Sequence, residues 1–263
     1  MIKSKVVKNY ETSNLKYPNL KIGLVIPAYN EEKNIENVLS KIPKNISNEL
    51  KIIIIDDGST DKTLEIIENY KVIVLKHNKN KGNGAATITG LNYCRQNRFE
   101  IVIILDADGQ HDPNYLDKFI APLVNGTYDF VIGNRFATDY KMKFSKKLCS
   151  LILTIFYFII FRKKISDPTN GYRALSQNVL SNLIFESHYS ITQEMLYKVI
   201  PHYKFKEIPI KLKQRENGKS FIKLNTYLFK MAIIFTKFYI IPKLKNFNKK
   251  LQFVTRKRLG SQI

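Results

Sequence analysis

Two aspartates that follow a strongly apolar run are the residues of this chain best suited to metal chemistry. Residues 101–105 (IVIIL) are all apolar, as in a strand buried on both faces, and DADGQ follows at 106–110. A glycine in this loop permits a tight turn, so the carboxylates of Asp106 and Asp108 can converge on one hard cation. Gln110 offers a neutral oxygen, and substrate phosphates and water can complete the coordination of Mg²⁺ or Mn²⁺. The plainer interpretation is that both aspartates only cap the next helix.

The elements that must position this loop alternate along the chain. Continuous Val/Ile strands separated by helices predict an α/β fold, with a mostly parallel sheet covered by helices on both faces. Ligands of such sheets bind beyond the carboxyl ends of the strands, where polar clusters lie at 28–32, 56–61 and 106–110. Asn30 and Asp112 are the predicted N-caps of the helices that follow the first and third clusters. The pattern predicts strands at 21–27, 51–55, 72–76, 101–105 and 128–133, and helices at 31–42, 62–70, 82–95 and 112–124.

Length and composition fit a folded intracellular protein. The 263 residues are 44% hydrophobic and 25% charged, enough for one large α/β domain or two small ones. Cys94 and Cys149 are too few for a disulfide framework, which fits a reducing cytosol. Residues 1–20 contain no apolar core of signal-peptide length and are predicted to be a loosely held tail.

The net charge of +21 predicts an anionic partner, either nucleic acid, anionic lipid or a phosphorylated substrate. A Lys-rich genome can account for part of this surplus. A nucleic-acid-binding protein would need a contiguous basic face with stacking aromatics, and the acidic clusters at the sheet edge argue against it. We therefore predict no nucleic-acid partner.

Two apolar segments point to a membrane surface. Leu148–Phe161 carries no charge, but it is shorter than the roughly 20 residues that a spanning helix needs. Lys223–Ile241 has lysines seven residues apart, and the 243–263 tail is basic and without acid, so it is attracted to anionic lipid or simply solvated. Such basic-edged helices often lie in the membrane interface, and packing on the sheet or a true span are the alternatives. On a helical wheel the first segment has one polar stripe, made of Lys143, Lys146, Lys147, Ser150, Thr154 and Tyr157.

Seven motifs in a fixed order carry a family resemblance. Together they resemble the family 2 glycosyltransferases of GT-A fold, in particular the dolichyl- or polyprenyl-phosphate mannose or glucose synthases, from about residue 21 to 220. The motifs are VIPAYNEE (25–32), DDGSTDKT (56–63), KGNGAA (81–86), DADGQHDP (106–113), GNRF (133–136), DPTNGYRA (167–174) and RENGKS (215–220). The resulting division is an N-terminal tail at 1–20, a GT-A domain at 21–220 with an inserted interfacial helix at 143–162, an amphipathic helix at 221–242 and a basic tail at 243–263.

The resemblance implies a nucleotide-sugar site and a metal site. The first loop and the Asp56/Asp57 loop would hold base and ribose, and either aspartate can accept the base N–H. A cation on Asp106, Asp108 and Gln110 would act as a Lewis acid toward the departing nucleoside diphosphate. The implied donor-binding residues are Pro27, Tyr29, Glu31, Asp56, Asp57, Lys81, Gly82, Asp106, Ala107 and Lys219.

The implied acceptor chemistry turns on two arginines and one glutamate. Arg135 and Arg215 match phosphate-facing positions, where a guanidinium fork suits two oxygens, although either can be an ordinary surface arginine. Glu194 stands roughly where hydroxyl-glycosylating relatives place a general base, but the usual Glu-Asp pair is absent, and an ordinary helix carboxylate is the alternative. Asp167 is predicted to form a turn or belong to the acceptor loop, and His111 needs no ligand role.

The resemblance implies an inverting enzyme, with Asp108, Arg135, Arg215 and Glu194 as its candidate catalytic residues. It would move mannose or glucose from a donor of the GDP-mannose or UDP-glucose class to a polyprenyl phosphate, which is already an anion and needs no base. We expect a cytoplasmic protein, peripheral at the inner face of the membrane, and an oligomer is compatible with the sequence. The alternative is a family 2 enzyme that glycosylates a sugar hydroxyl with Glu194 as base.

Overall fold

The computed structural model describes residues 15–138, 144–186, 191–212, 233 and 235–241. The strands are β1 (Ile22–Ala28), β2 (Leu50–Asp56), β3 (Ile73–Lys76), β4 (Ile101–Ile104), β5 (Phe130–Asn134), β6 (Arg173–Ser176) and β7 (Phe205–Pro209). The helices are α1 (Ile35–Ser40), α2 (Thr63–Glu68), α3 (Asn83–Gln96), α4 (Leu116–Val124), α5 (Phe144–Phe161), α6 (Gln177–Asn182) and α7 (Ile191–Val199). Pro113–Tyr115 and Arg135–Ala137 form 3₁₀ turns, and Thr236–Ile240 is π-helical.

All seven strands join one mixed sheet in the order β3-β2-β1-β4-β6-β5-β7. The pairs β1–β2, β2–β3, β1–β4 and β5–β7 are parallel, which confirms the predicted mostly parallel α/β sheet. Only β6 pairs antiparallel, with β4 on one side and β5 on the other. Because β6 runs in the opposite direction, the loop that precedes it lies at the edge where β4 and β5 end. Three segments that are distant in sequence therefore meet there.

Alternating strand residues supply a separate hydrophobic core on each face of the sheet. Val25 belongs to the core that includes residues of α3, α5 and α7. Its neighbour Leu24 belongs to the core that includes residues of α1 and α4. Since side chains of a strand alternate between its faces, a continuous apolar strand can feed both cores.

Two predicted helix starts have different outcomes. Asn30 is not an N-cap, because its φ is 54° and its Oδ1 accepts a hydrogen bond from the backbone N–H of Thr60 at 2.8 Å. The residues before α1 are used to join the first loop to the second, so this helix begins later than predicted. Asp112 is confirmed as a cap, since its Oδ1 accepts from the N–H of Asn114.

Helix α5 turns part of its polar stripe toward the domain. Ser150 and Tyr157 are buried, and the hydroxyl of Thr154 donates to the carbonyl of Ser166, whereas Lys147 is exposed. An apolar row faces outward instead. Its members are Leu148, Leu151, Ile152, Ile155, Phe158 and Ile159, each between 45% and 57% exposed.

The second apolar segment is described only at 233 and 235–241. Its Phe235 ring lies 4.6 Å from that of Phe156 on α5, while Ile233 and Ile241 are exposed. Within the described part of the chain, no helix is both long and apolar enough to cross a membrane. The basic tail at 243–263 and most of the predicted helix at 221–242 lie outside the described residues.

The predicted N-terminal tail is held down at its end. Lys16 Nζ lies 2.7 Å from Asp117 Oδ2, and the hydroxyl of Tyr17 donates to the same carboxylate at 2.9 Å. Residues 15–20 therefore belong to the folded domain rather than to a loose tail, while residues 1–14 lie outside the described part.

Candidate active site

The first two polar loops interlock at the carboxyl edge of the sheet. Backbone N–H groups of the first loop donate to side chains of the second, from Asn30 to Ser59, from Glu31 to Thr63 and from Glu32 to Asp61. In return, the side-chain oxygen of Glu32 accepts from the backbone of Lys62. These contacts follow from the parallel pairing of β1 with β2, which sets Ala28 beside Asp56. The predicted convergence of these two loops is thus present in the structure.

The buried carboxylate of Asp57 fixes a third loop. It accepts hydrogen bonds from the backbone N–H of Lys81 at 3.0 Å and of Gly82 at 2.7 Å. Gly82 has a φ of 92°, a conformation that glycine adopts without strain, and α3 starts directly after it. His77 Nδ1 lies 2.6 Å from the same carboxylate, and since a carboxylate that already binds N–H groups can only accept, this nitrogen carries a proton.

The two aspartates of the second loop have different partners. Asp57 is surrounded by backbone N–H groups and His77, whereas Asp56 accepts from the N–H of Ser59 through Oδ1. Both side chains are almost fully buried. Among the other predicted donor-site residues, Pro27 and Ala107 are also buried, whereas Tyr29 and Glu31 are partly exposed beside the cleft.

The loop after β4 carries the predicted metal ligands. The Asp106 side chain is 33% exposed, and Asp108 and Gln110 are also partly exposed. Asp108 Oδ1 accepts from the backbone N–H of Gln110, which shapes the turn. Thr192 and Met195 of α7 line a small cavity beside Asp106, together with Asn83, Thr87, Ile104, Gly171, Arg173 and Ile191.

The donor set at this loop fits a hard divalent cation. A Cβ at position 171 would lie 3.3 Å from Asp106 Oδ2, so glycine there leaves the carboxylate room. No group of three or more His, Cys, Asp or Glu able to hold a metal occurs among the described residues. With Asp106, Asp108 and Gln110 as its protein ligands, a bound Mg²⁺ would keep coordination positions for substrate phosphates, as is usual for this ion.

His111 holds the backbone of the loop that carries the predicted metal ligands. Its Nδ1 accepts the backbone N–H of Asp106 at 3.1 Å, so this nitrogen is unprotonated and the proton of the neutral ring is on Nε2. The ring is buried and stacks on Tyr172 with centroids 5.0 Å apart. His111 thus holds the backbone of a predicted ligand, a role that the sequence did not indicate.

Arg135 is held by Asp167 across the edge of the sheet. Arg135 Nη2 donates to Asp167 Oδ1 at 2.9 Å, Nε lies 2.9 Å from Oδ2, and the backbone N–H of Arg135 donates to Oδ2 at 3.1 Å. Nη2 also contacts the Thr169 hydroxyl. Asp167 is fully buried while the Arg135 side chain is 15% exposed, so the carboxylate fixes a guanidinium that is partly accessible to solvent. Beyond the turn predicted for Asp167, the structure shows that this residue is the ion-pair partner of Arg135.

Glu194 is buried on the first turns of α7 and turned toward the loop that precedes this helix. Its Oε1 accepts the backbone N–H of Glu186 at 2.6 Å and lies 3.1 Å from Lys198 Nζ. The α7 residues that line the cavity beside Asp106 are Ile191, Thr192 and Met195, and Glu194 is not among them. The described contacts are those of a structural carboxylate. Arg215 and Lys219 lie outside the described residues.

Sequence comparisons show the family of this chain. The family model "Glycosyl transferase family 2" matches residues 24–184. UDP-N-acetylglucosamine–dolichyl-phosphate N-acetylglucosaminyltransferase of Methanococcus voltae is 36% identical over 198 residues, covering 66% of this chain and 78% of that protein. Dolichol-phosphate mannosyltransferase of Pyrococcus furiosus is 30% identical over 218 residues, covering 79% of this chain and 60% of that longer protein. The chain belongs to glycosyltransferase family 2.

A structural comparison confirms the GT-A fold. Glucosyl-3-phosphoglycerate synthase from Mycobacterium tuberculosis, crystallised with Mn²⁺, UDP and glucosyl-3-phosphoglycerate, superposes with a TM-score of 0.60. The match covers 82% of this chain and 76% of that one, at 18% identity. At this identity the likeness establishes the fold alone. The protein is therefore a glycosyltransferase of GT-A architecture.

Proposed function

We propose that this enzyme transfers a sugar from a nucleotide sugar to a polyprenyl or dolichyl phosphate at a membrane surface. The observation that carries the proposal is the guanidinium of Arg135, which Asp167 holds rigidly at the acceptor side of the cleft. Asp167 and Thr169 engage Nε and Nη2, so Nη1 is the nitrogen that would donate a charge-assisted hydrogen bond to a phosphate oxygen. The relatives named as dolichyl-phosphate glycosyltransferases support the same acceptor.

The donor would bind where the first three loops meet. In this proposal the interlocked loops at 28–32 and 56–61 hold base and ribose, and Lys81 and Gly82 border the diphosphate. Asp106, Asp108 and Gln110 would hold Mg²⁺ or Mn²⁺, which supplies positive charge to the departing nucleoside diphosphate. The fold relative crystallised with Mn²⁺ and UDP supports a divalent cation.

The acceptor phosphate would act as the nucleophile without a protein base. One of its oxygens forms a bond to the anomeric carbon as the bond from that carbon to the diphosphate breaks, and attack from the opposite face inverts the configuration. No proton has to be removed, because the phosphate is already an anion near neutral pH. The inward orientation of Glu194 fits this chemistry better than it fits the alternative, in which Glu194 deprotonates a sugar hydroxyl.

The candidate sugars are hexoses and N-acetylhexosamines. Mannose and glucose follow from the motif resemblance, and the Methanococcus voltae relative, named for UDP-N-acetylglucosamine, adds a third candidate. Purified protein should therefore be assayed with Mn²⁺ or Mg²⁺, UDP-glucose, UDP-N-acetylglucosamine or GDP-mannose, and a short polyprenyl phosphate. We expect label from one donor to enter the organic phase, and Asp108→Ala to abolish this transfer.

Two results would contradict the proposal that the acceptor is a polyprenyl or dolichyl phosphate. Hydrolysis or binding of a nucleotide sugar without labelling of the lipid phosphate would leave a family 2 enzyme with another acceptor. Loss of activity in Glu194→Gln, with normal folding, would favour a sugar hydroxyl, because a phosphate acceptor does not need this carboxylate.

The outward face of α5 would place the enzyme on the membrane. Its apolar row is flanked by Lys147 and by Arg162, Lys163 and Lys164, so it combines burial in lipid with attraction to anionic headgroups. We expect the double variant Ile152→Asp/Ile155→Asp to lose most of its binding to phosphatidylglycerol vesicles. Val124→Asp is the matched control, since Val124 is 44% exposed at the end of α4. Equal vesicle binding by both variants would contradict this docking mode.

A further inference from the structure

A group of buried polar side chains lies behind Arg135 and is not explained by contact with substrate. Asp167 and Tyr157 are 0% exposed, Asn170 and Arg173 are 1%, and Gln193 is 2%. Burying such groups is unfavourable unless they are hydrogen-bonded, and a satisfied buried network fixes its members in one arrangement. This network lies where the loop at 166–170, α7 and α5 meet.

Arg173 clamps the loop from the sheet side. Its guanidinium donates to three backbone carbonyls: Nε to Asn170 at 3.0 Å, Nη2 to Pro168 at 3.1 Å and Nη1 to Thr192 at 2.5 Å. Arg173 is also the β6 residue paired with Ile104 of β4. The loop that holds Arg135 is thereby tied both to the sheet and to the first turn of α7.

Gln193 and Tyr157 hold the same loop from the helix side. Gln193 Nε2 donates to the carbonyl of Pro168 at 3.1 Å, and the hydroxyl of Tyr157 donates to Gln193 Oε1. One turn earlier on α5, the hydroxyl of Thr154 donates to the carbonyl of Ser166 at 3.3 Å. The inner face of α5 therefore supports the loop at two points.

The loop transmits this support to Arg135 through the side chains of Asp167 and Thr169. Glu207 accepts the backbone N–H groups of Ser166 and Asp167, at 2.8 and 3.0 Å, which fixes the backbone on the outer side. Asp167 then contacts the backbone and guanidinium of Arg135. A shift of the loop would therefore move the guanidinium.

We propose that Gln193 and Tyr157 are positioning residues for the acceptor phosphate, acting through the 166–170 loop and Asp167 on Arg135. The inference rests on the proposed function, because it assigns Arg135 to the acceptor. It adds a second role for α5. The buried face of this helix supports the proposed acceptor site, while its outer face is apolar and exposed.

The test uses the variants Tyr157→Phe and Gln193→Met in the full-length protein. Phenylalanine keeps the ring, which stacks on Phe161 with centroids 5.7 Å apart, and removes the hydroxyl. Tyr17→Phe is the matched control, because it also deletes a hydroxyl that donates one hydrogen bond, here to Asp117. Two quantities are measured: amide hydrogen exchange of peptides covering 163–173, and the KM values for farnesyl phosphate and for the nucleotide sugar.

We expect Tyr157→Phe to raise the KM for farnesyl phosphate about threefold to tenfold, as for the loss of one hydrogen bond, and Gln193→Met to raise it more. Exchange at 163–173 should quicken, while the donor KM and exchange at 77–86 should stay within about twofold of wild type. Tyr17→Phe should change none of these values. If Gln193→Met does not fold, Tyr157→Phe decides alone.

Each contrary outcome has a separate meaning. Equal increases in both KM values, or an unchanged acceptor KM with faster exchange, would show a merely structural network and overturn the inference. Unchanged exchange at 163–173 would overturn it as well. If the wild-type enzyme transfers no sugar to any polyprenyl phosphate, the proposed function fails, and the exchange data still decide whether the two residues position the loop.

Discussion

Two buried carboxylates hold the two halves of the cleft, and they do so in different ways. Asp57, on the β1–β3 side, accepts backbone N–H groups from Lys81 and Gly82. Asp167, on the β5–β7 side, pairs with the guanidinium of Arg135. The first carboxylate fixes the backbone of a loop, whereas the second fixes the position of a charged side chain. Under the proposed function, the donor half would rely on backbone geometry and the acceptor half on side chains, and the two should be separable by mutation.

The largest effect should come from Asp108, which serves both halves. Asp108→Asn removes one negative charge from the predicted metal site, and we expect about a 10³-fold loss of kcat/KM for either substrate. The measurement is the initial rate across a Mn²⁺ titration, with EDTA as a parallel treatment. Asp112→Asn is the control, because asparagine can still cap the turn at 113–115. Activity that survives both Asp108→Asn and EDTA would contradict a metal-assisted reaction.

The next largest effect should fall on the acceptor half and spare the donor half. Asp167→Asn removes the charge that holds Arg135, so we expect kcat/KM for the polyprenyl phosphate to fall about 10- to 100-fold. The KM for the nucleotide sugar should change less than about twofold. Initial rates with each substrate varied in turn give both values, and Asp129→Asn is a remote carboxylate control. An equal loss for donor and acceptor would remove the distinction between the halves.

The reciprocal variant should separate the donor half. In Asp57→Asn one carboxylate oxygen becomes an NH₂ group, which would face an N–H of Lys81 or Gly82, or the protonated nitrogen of His77. We expect the KM for the nucleotide sugar to rise about tenfold while the acceptor KM is retained. Calorimetric titration with the nucleoside diphosphate and Mn²⁺ gives an independent value. A selective change in the acceptor KM would reverse our assignment.

The smallest effect concerns an ion-pair cluster near α7. Hydrogen bonds from Lys198 and Lys237 lower the pKa of Glu186 below its ordinary value of 4.5. Because the pKa is lower in the folded state, the stabilisation is present above pH 4.5 and is lost as the pH falls through the lowered pKa. Calorimetry should give a Tm for Glu186→Gln about 1–3 °C below wild type at pH 6, since the pair is exposed to solvent. A difference that does not shrink at all as the pH falls below 4.5 would contradict this origin.

The same comparison explains what sequence reasoning could reach. The strands β1, β2 and β4 were predictable because each is a continuous apolar run that ends in a polar loop, and the loop convergence followed from parallel pairing. Asn30 was wrong as a cap, because its side chain bonds a loop 30 residues away. Such a contact leaves no periodic signal in the sequence.

The acceptor half was less predictable for the same physical reason. Arg173, Gln193 and Tyr157 bond to backbone carbonyls or to one another at separations of up to 36 residues, so nothing local marks them. The polar stripe on α5 was visible, but a helical wheel shows only that two faces differ. Which face lies inward depends on the partners, and here Thr154 of the stripe bonds to the partly buried carbonyl of Ser166. The roles of the predicted site residues stay predictions until the variants are measured.

The exposed row on α5 has a consequence for how the substrates are found. A protein held flat on a bilayer by this row would meet its lipid acceptor by lateral diffusion within a plane, and its nucleotide sugar from the bulk solution. The rate of acceptor capture would then scale with the surface density of the lipid phosphate rather than with its bulk concentration. If a constant total amount of lipid phosphate is spread over more vesicles, its surface density falls. The enzyme should then slow down, although the total concentration of lipid phosphate in the sample is unchanged.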